Sequence, residues 1–185
     1  MAENLAPFVR NRFGAKETIF PGKVQAGSTQ TIKRGEICCF NKTSGYWTPV
    51  SAVADGKLYL LAISNEEQKT ADVERYMEFI APKPGDEFEF AMAAARAVAQ
   101  GEGFTLTASD SQKITYSATA FPVFTSVGDD NYPGVGTTLA AKSKAVVEMN
   151  PRCSFYQVLE SGFQKRKMET VTANRTLTYE DSGKV

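Results

Sequence analysis

Acid–base and nucleophilic chemistry in proteins most often runs through an imidazole, and this chain contains no histidine. Ser–His and Cys–His pairs are therefore excluded by composition alone. Zinc and its neighbours lose their commonest ligand by the same absence, and Cys38, Cys39 and Cys153 show no CxxC spacing. Cys38 and Cys39 are adjacent. On a strand they point to opposite faces, one into a core and one half-exposed, which leaves little room for a redox role. Asp129-Asp130-Asn131 offers oxygen ligands for calcium without the EF-hand spacing, so it reads as a solvated turn. Gly134-Val135-Gly136 has part of a dinucleotide fingerprint, with no clear strand before it and no βαβ unit around it. Acids are numerous, yet no carboxylate pair stands out by spacing. The residue types point to no enzyme, no metal site and no cofactor.

Length and charge agree with that. At 185 residues the chain suits one domain, or one domain with extended arms. Lys plus Arg equals Asp plus Glu, 21 against 21, which removes the broad electrostatic case for a nucleic-acid partner. Short basic stretches at Arg10 to Lys16 and Lys165 to Lys167 read as solvated faces or protein contacts. No apolar run approaches a membrane span, and the first residues carry no basic-then-apolar leader. The expected setting is a cytosol, or a particle assembled in one. The Asn41 and Asn174 sequons would matter only in a secreted protein.

The elements that must position whatever function there is read as β-strands. Residues 1–22 form an extended N-terminal arm, with Phe8, Phe13, Ile19 and Phe20 as apolar anchors between Arg10, Arg12 and Lys16. It reads equally as a frayed terminus or as an arm that docks on a neighbour. Residues 23–162 read as a β-barrel-like domain with strands at Ile37 to Phe40, Tyr46 to Thr48, Lys57 to Ser64 and Arg75 to Ile80. The stretch from Arg75 to Ser109 organises them: a strand, a Pro-Lys-Pro-Gly turn and the alternating Phe88-Glu89-Phe90, which together predict a hairpin. Met92 to Gln100 is rich in alanine and closed by Gly101, so it is the one short helix or turn-rich crossing expected. Lys113 to Thr125, Lys144 to Met149 and Ser154 to Leu159 complete the strands, with a Gly/Asp loop at Val127 to Thr138. Residues 163–185 read as a polar C-terminal tail.

One local pattern recurs: Gly35-Glu36-x-Cys38, Gly85-Asp86-x-Phe88 and Gly101-Glu102-x-Phe104. Glycine supplies a turn, an acid caps it, and the apolar residue two places on points inward. Short strands at close spacing, punctuated this way, predict an all-β barrel or sandwich.

The text RYMEFIAPKPGDEFEF at Arg75 to Phe90, followed by Val98-Ala99-Gln100-Gly101-Glu102-Gly103-Phe104, resembles tailed-phage capsid decoration, or cement, proteins. Leu60 to Gln68 also looks like that family's strand and acidic segment, so the likeness covers roughly Lys57 to Leu106. The resemblance implies a small β-barrel or β-tulip domain on the outer surface of an icosahedral phage head, where it bridges major capsid protein subunits. It also implies self-association, as a trimer, and a virion protein made in the host cytoplasm. The tail and the Gly/Asp loop depart from the family pattern.

On this reading Phe8, Phe13, Ile19 and Phe20 bury against capsid or sister subunits, and Arg10 and Arg12 pair with acids there. Pro84, Gly85, Asp86 and Gly101 are turn scaffold. No membrane and no direct nucleic-acid contact is expected. The alternatives are another β-rich phage head or tail component, or a β-barrel enzyme or ligand-binding domain working through carboxylates and tyrosines.

Overall fold

The computed structural model describes residues 7–25, 31–51, 60–67, 74–119, 121–127 and 140–163. The tail from 164 onward, nearly all of the Gly/Asp loop, Asp129-Asp130-Asn131 and Gly134-Val135-Gly136 lie outside these. Eleven strands and one helix are described: β1 (Phe8–Asn11), β2 (Ile19–Val24), β3 (Ile37–Asn41), β4 (Tyr46–Pro49), β5 (Leu61–Ser64), β6 (Arg75–Ile80), β7 (Asp86–Arg96), β8 (Gly103–Thr107), β9 (Asp110–Tyr116), β10 (Phe124–Ser126), β11 (Lys142–Met149) and α1 (Tyr156–Phe163). The expected all-β barrel with one short helix is what the chain forms.

One sheet runs β1-β7-β11-β10-β8-β9, and β9 returns to pair in parallel with β7 at Ala91 and Met92. Strands β7 to β11 thus close a five-stranded barrel. Strand β7 is long enough to serve two partners on one edge, β1 along Asp86 to Phe88 and β9 further on. The second sheet runs β2-β6-β5-β3-β4. Its order, written as first, fifth, fourth, second, third strand, is the order of the barrel. The chain therefore folds one connectivity twice.

The first copy curls without closing by hydrogen bonds among the described strands. Instead β4 lies against β2 through side chains, with the Phe20 and Trp47 ring centroids 5.3 Å apart. A Cβ at Gly22 would sit 2.6 Å from both a Phe79 and a Trp47 ring carbon, so only glycine lets the two strands approach. Phe155, just before α1, covers this seam, 4.6 Å from Phe20 and 5.2 Å from Trp47 between ring centroids.

Two cores follow from this layering. The larger joins the barrel interior (Phe88, Phe90, Phe104, Leu106, Phe124 and Val147) to one face of the second sheet (Ile37, Cys39, Leu61, Ile63 and Ile80). The smaller lies on that sheet's other face, around Phe20, Cys38, Trp47, Met77 and Phe79. Each fully buried Phe or Leu side chain contributes about 1.5–3 kcal/mol. Strand β3 sits between the two cores, so Cys38 and Cys39 point to opposite faces as expected, but both are buried. The sequence pattern does not show that the second face is covered too.

Three expectations are corrected here. Strands β6 and β7 form no hairpin: β6 pairs with β2 and β5, while β7 pairs with β1, β9 and β11. The Pro-Lys-Pro-Gly turn is a corner that carries the chain from one sheet to the other. Met92 to Arg96 is the far half of β7, not a helix. A run of two to three helical turns is marginal alone, and pairing with β11 and β9 overrides its preference. The helix lies instead at Tyr156–Phe163, where Ser154 to Leu159 reads as a strand. Ser154 is the signal: its Oγ accepts the Tyr156 N–H at 3.1 Å in a turn that leads into the helix, and Phe155, Tyr156 and Leu159 pack on the aromatic core.

Candidate functional site: the Gly85 corner and the N-terminal strands

The recurring Gly-acid pattern is one structural device used three times. Gly35, Gly85 and Gly101 take φ of 84°, 86° and 82°, the left-handed region that glycine tolerates. In each, the acid after the glycine accepts a hydrogen bond from the backbone N–H three residues earlier: Lys33 to Glu36 at 2.8 Å, Lys83 to Asp86 at 3.1 Å, and Ala99 to Glu102 at 3.1 Å. Each acid's own N–H returns a bond to that same residue's carbonyl. The inward residues Cys38, Phe88 and Phe104 are all fully buried. The first and third corners precede equivalent strands, β3 and β8, and each clasps a serine, Ser64 or Ser126, by a reciprocal pair of backbone bonds.

The Gly85 corner is built differently, and the N-terminal strands do it. Asn11 donates from Nδ2 to Asp86 Oδ1 at 2.6 Å, while its Oδ1 accepts the Phe13 N–H at 2.9 Å and the Ala15 N–H at 3.3 Å. One buried amide thus ties the corner to the turn that carries Phe13. Glu148 from β11 completes the clasp: Oε1 accepts the Gly85 N–H at 2.7 Å and Oε2 pairs with Arg12 at 2.8 Å. Arg10 pairs with Glu87 at 2.8 Å, where Glu87 is only 3% exposed.

These contacts place each residue singled out from the sequence. Phe8 packs edge-on to Phe88 and Phe20 is in the smaller core. Arg10 and Arg12 pair with this chain's own Glu87 and Glu148. Residues 8–11 and 19–24 therefore run extended as strands of the chain's own sheets rather than as a projecting arm, and the boundary at 22 falls inside β2. Two anchors remain outward, Phe13 at 72% exposure and Ile19 at 44%. Pro84, Gly85 and Asp86 meet Asn11 and Arg12 at the corner, and Gly101 stands apart at the third corner. The partners Asn11, Glu87 and Glu148 were not foreseen, because nothing in their spacing says which acid meets which arginine.

Burial raises Asp86 from its ordinary value against the opposing effect of Asn11, and raises Glu36 likewise against Lys33 and Ser111. A raised folded pKa means stability that is fully present below the unfolded value and is lost as pH rises through the folded one. Relative to Asp86→Asn, the native chain is thus expected to gain stability as pH falls through the raised folded pKa of Asp86 toward its unfolded value of about 3.9. Urea midpoints that shift equally in both chains over that interval would contradict this.

The two outlying glycine corners also separate strain from contact. At Gly101 an added Cβ meets nothing within 4 Å, so Gly101→Ala is expected to cost only backbone strain, about 1–2 kcal/mol. At Gly85 the same atom would lie 2.5 Å from the Phe13 ring. Gly85→Ala is expected to cost more and to push Phe13 off the corner, visible as altered protease or fluorophore access at residue 13. Equal melting points for the two variants would speak against it.

Among the described residues no three His, Cys, Asp or Glu side chains gather to hold a metal. Burial raises the Cys38 thiol well above its usual pKa and the half-buried Cys153 less so. Alkylation of the native chain near pH 8 is expected at Cys153 first, read by peptide mass; earlier labelling of Cys38 would refute the burial order. An open cavity is lined by Glu89, Val98 and residues 141–146, and Glu89 is held there by Lys144 at 2.8 Å. The chain matches no protein-family model, no curated protein and no solved structure.

Proposed function

We propose that the chain is a structural virion protein that binds the outer surface of an icosahedral phage head and stabilises it by bridging major capsid protein subunits. The carrying observation is the Phe13 ring, largely exposed yet held against Gly85. Gly85 lies within the Arg75 to Leu106 text that resembles capsid decoration proteins. A large apolar ring fixed in the open, beside arginine, is the composition of a protein-contact anchor. A molecule bound in many copies to a rigid lattice needs only modest affinity at each contact. Trimeric self-association belongs to the same proposal.

The test is co-sedimentation of the purified chain with heads assembled without it, together with its mass in solution. The expected result is saturable binding by a trimer and greater resistance of the heads to heat. Absence of binding to expanded heads would sink the reading.

A further inference from the structure

Among the described large apolar side chains the two most exposed are Phe121, at 77%, and Phe13, at 72%. They lie 108 residues apart in sequence, yet a short chain of contacts joins them. Phe13 rests on Gly85, whose N–H bonds Glu148. Two residues along, about 7 Å by strand geometry, Asn150 donates from Nδ2 to the Pro122 carbonyl at 3.3 Å and accepts the Arg152 N–H at 3.0 Å. Both rings carry an arginine: Arg12 lies 5.2 Å from the Phe13 centroid and Arg152 lies 5.9 Å from that of Phe121.

The charge of this end differs from that of the whole chain. Arg12, Lys16 and Arg152 are exposed and Lys83 half-exposed, against Glu17 and Glu160 as the exposed acids, Glu160 accepting the Tyr156 hydroxyl at 2.5 Å. Asp86 is buried, and Glu148 is 17% exposed and already shared between Arg12 and Gly85. A neutral chain thus presents a locally cationic face with two projecting rings. Phenylalanine and arginine are both enriched at protein interfaces, and clustered anchors carry most of the binding energy.

We propose that this end, centred on Phe13 and Phe121 and flanked by Arg12 and Arg152, docks on a protein surface offering apolar recesses beside carboxylates. The proposal rests on the capsid reading, which makes that surface the major capsid protein. It adds Phe121 and Arg152, which nothing in the sequence pattern singled out, and explains why a turn in this position is clasped from three elements. Anchors held rigid before binding lose less entropy on docking.

The experiment compares head binding by the native chain, Phe13→Ala, Phe121→Ala, Arg152→Glu and Tyr76→Ala. Tyr76 is 66% exposed near the start of β6, far from the corner at its end, and serves as control. Each phenylalanine variant is expected to bind at least about tenfold more weakly, as hot-spot truncations do. Arg152→Glu should weaken binding further as salt is lowered, with Tyr76→Ala unchanged. All four substitutions are on exposed side chains, and circular dichroism confirms folding. Native binding with undiminished phenylalanine variants would overturn the docking face and leave the capsid reading standing. No binding by the native chain would overturn both. A dimer dissolved by Phe13→Ala and Phe121→Ala would assign the face to self-association and overturn it as a lattice contact.

Discussion

Deleting residues 2–20 is expected to leave a chain that does not fold, rather than a folded domain without its arm. The deletion removes all of β1 and the first two residues of β2. Phe20 leaves the smaller core, where its ring meets Trp47, Phe79 and Phe155. A lost core phenylalanine costs about 3–5 kcal/mol. Glu87, 3% exposed, is then left without Arg10, which costs less than breaking a fully buried pair because the arginine is 59% exposed, yet still strips a buried carboxylate of its partner. Asp86 loses Asn11, and Ala81 loses the Thr18 carbonyl that accepts its N–H. Those losses rival the whole stability of an ordinary domain, about 5–15 kcal/mol. The measurement is far-UV circular dichroism with a urea titration of the truncated chain. A cooperative transition at the native midpoint would show that β1 and β2 are ornaments. Binding tests on the capsid reading therefore need single substitutions at Phe13, not truncation.

What could be read from residues alone divides along physical lines. The Gly-acid corners were legible because a left-handed glycine and a carboxylate reaching back three residues are local requirements, complete within four residues. The inward placing of Cys38, Phe88 and Phe104 followed from the same local geometry. Pairing is not local. Arg75 to Phe90 looks like a hairpin whether its strands join each other or two different sheets. Only the competing partners, β2 and β5 for one and β1, β9 and β11 for the other, decide it. Met92 to Gln100 and Ser154 to Leu159 were misread for one reason: a run of six to nine residues holds too few periods to separate helix from strand. The N-terminal arginines illustrate the same limit, since charge says that they need acids and not where those acids are. The doubled connectivity left little trace beyond the corner pattern itself, because strand order depends on spacing and turns more than on residue identity.

That doubled connectivity bears on how the molecule unfolds. Two units of one topology invite the expectation of two independent transitions, but the larger core belongs to both. Ile37, Leu61, Ile63 and Ile80 from the first unit pack with Phe88, Phe104 and Phe124 from the second. Glu36 at the first corner also accepts the Ser111 hydroxyl of β9 at 3.2 Å. Exposing either unit exposes the shared face of the other, so one cooperative transition is expected. Phe79→Ala tests this from the side of the first unit alone. Phe79 is fully buried, 5.4 Å from the Trp47 ring centroid and 5.8 Å from that of Phe20, and touches the smaller core only. Its truncation is expected to cost about 3–5 kcal/mol. At roughly 2–4 °C per kcal/mol for a chain of this size, the melting point should fall by about 6–20 °C. Trp47 is the only tryptophan, so its emission reports the first unit, while circular dichroism reports both. If the units share one transition, the two signals move down together in Phe79→Ala. If Trp47 emission changes at the lower temperature while most of the strand signal persists to the native melting point, the shared core does not couple the two units.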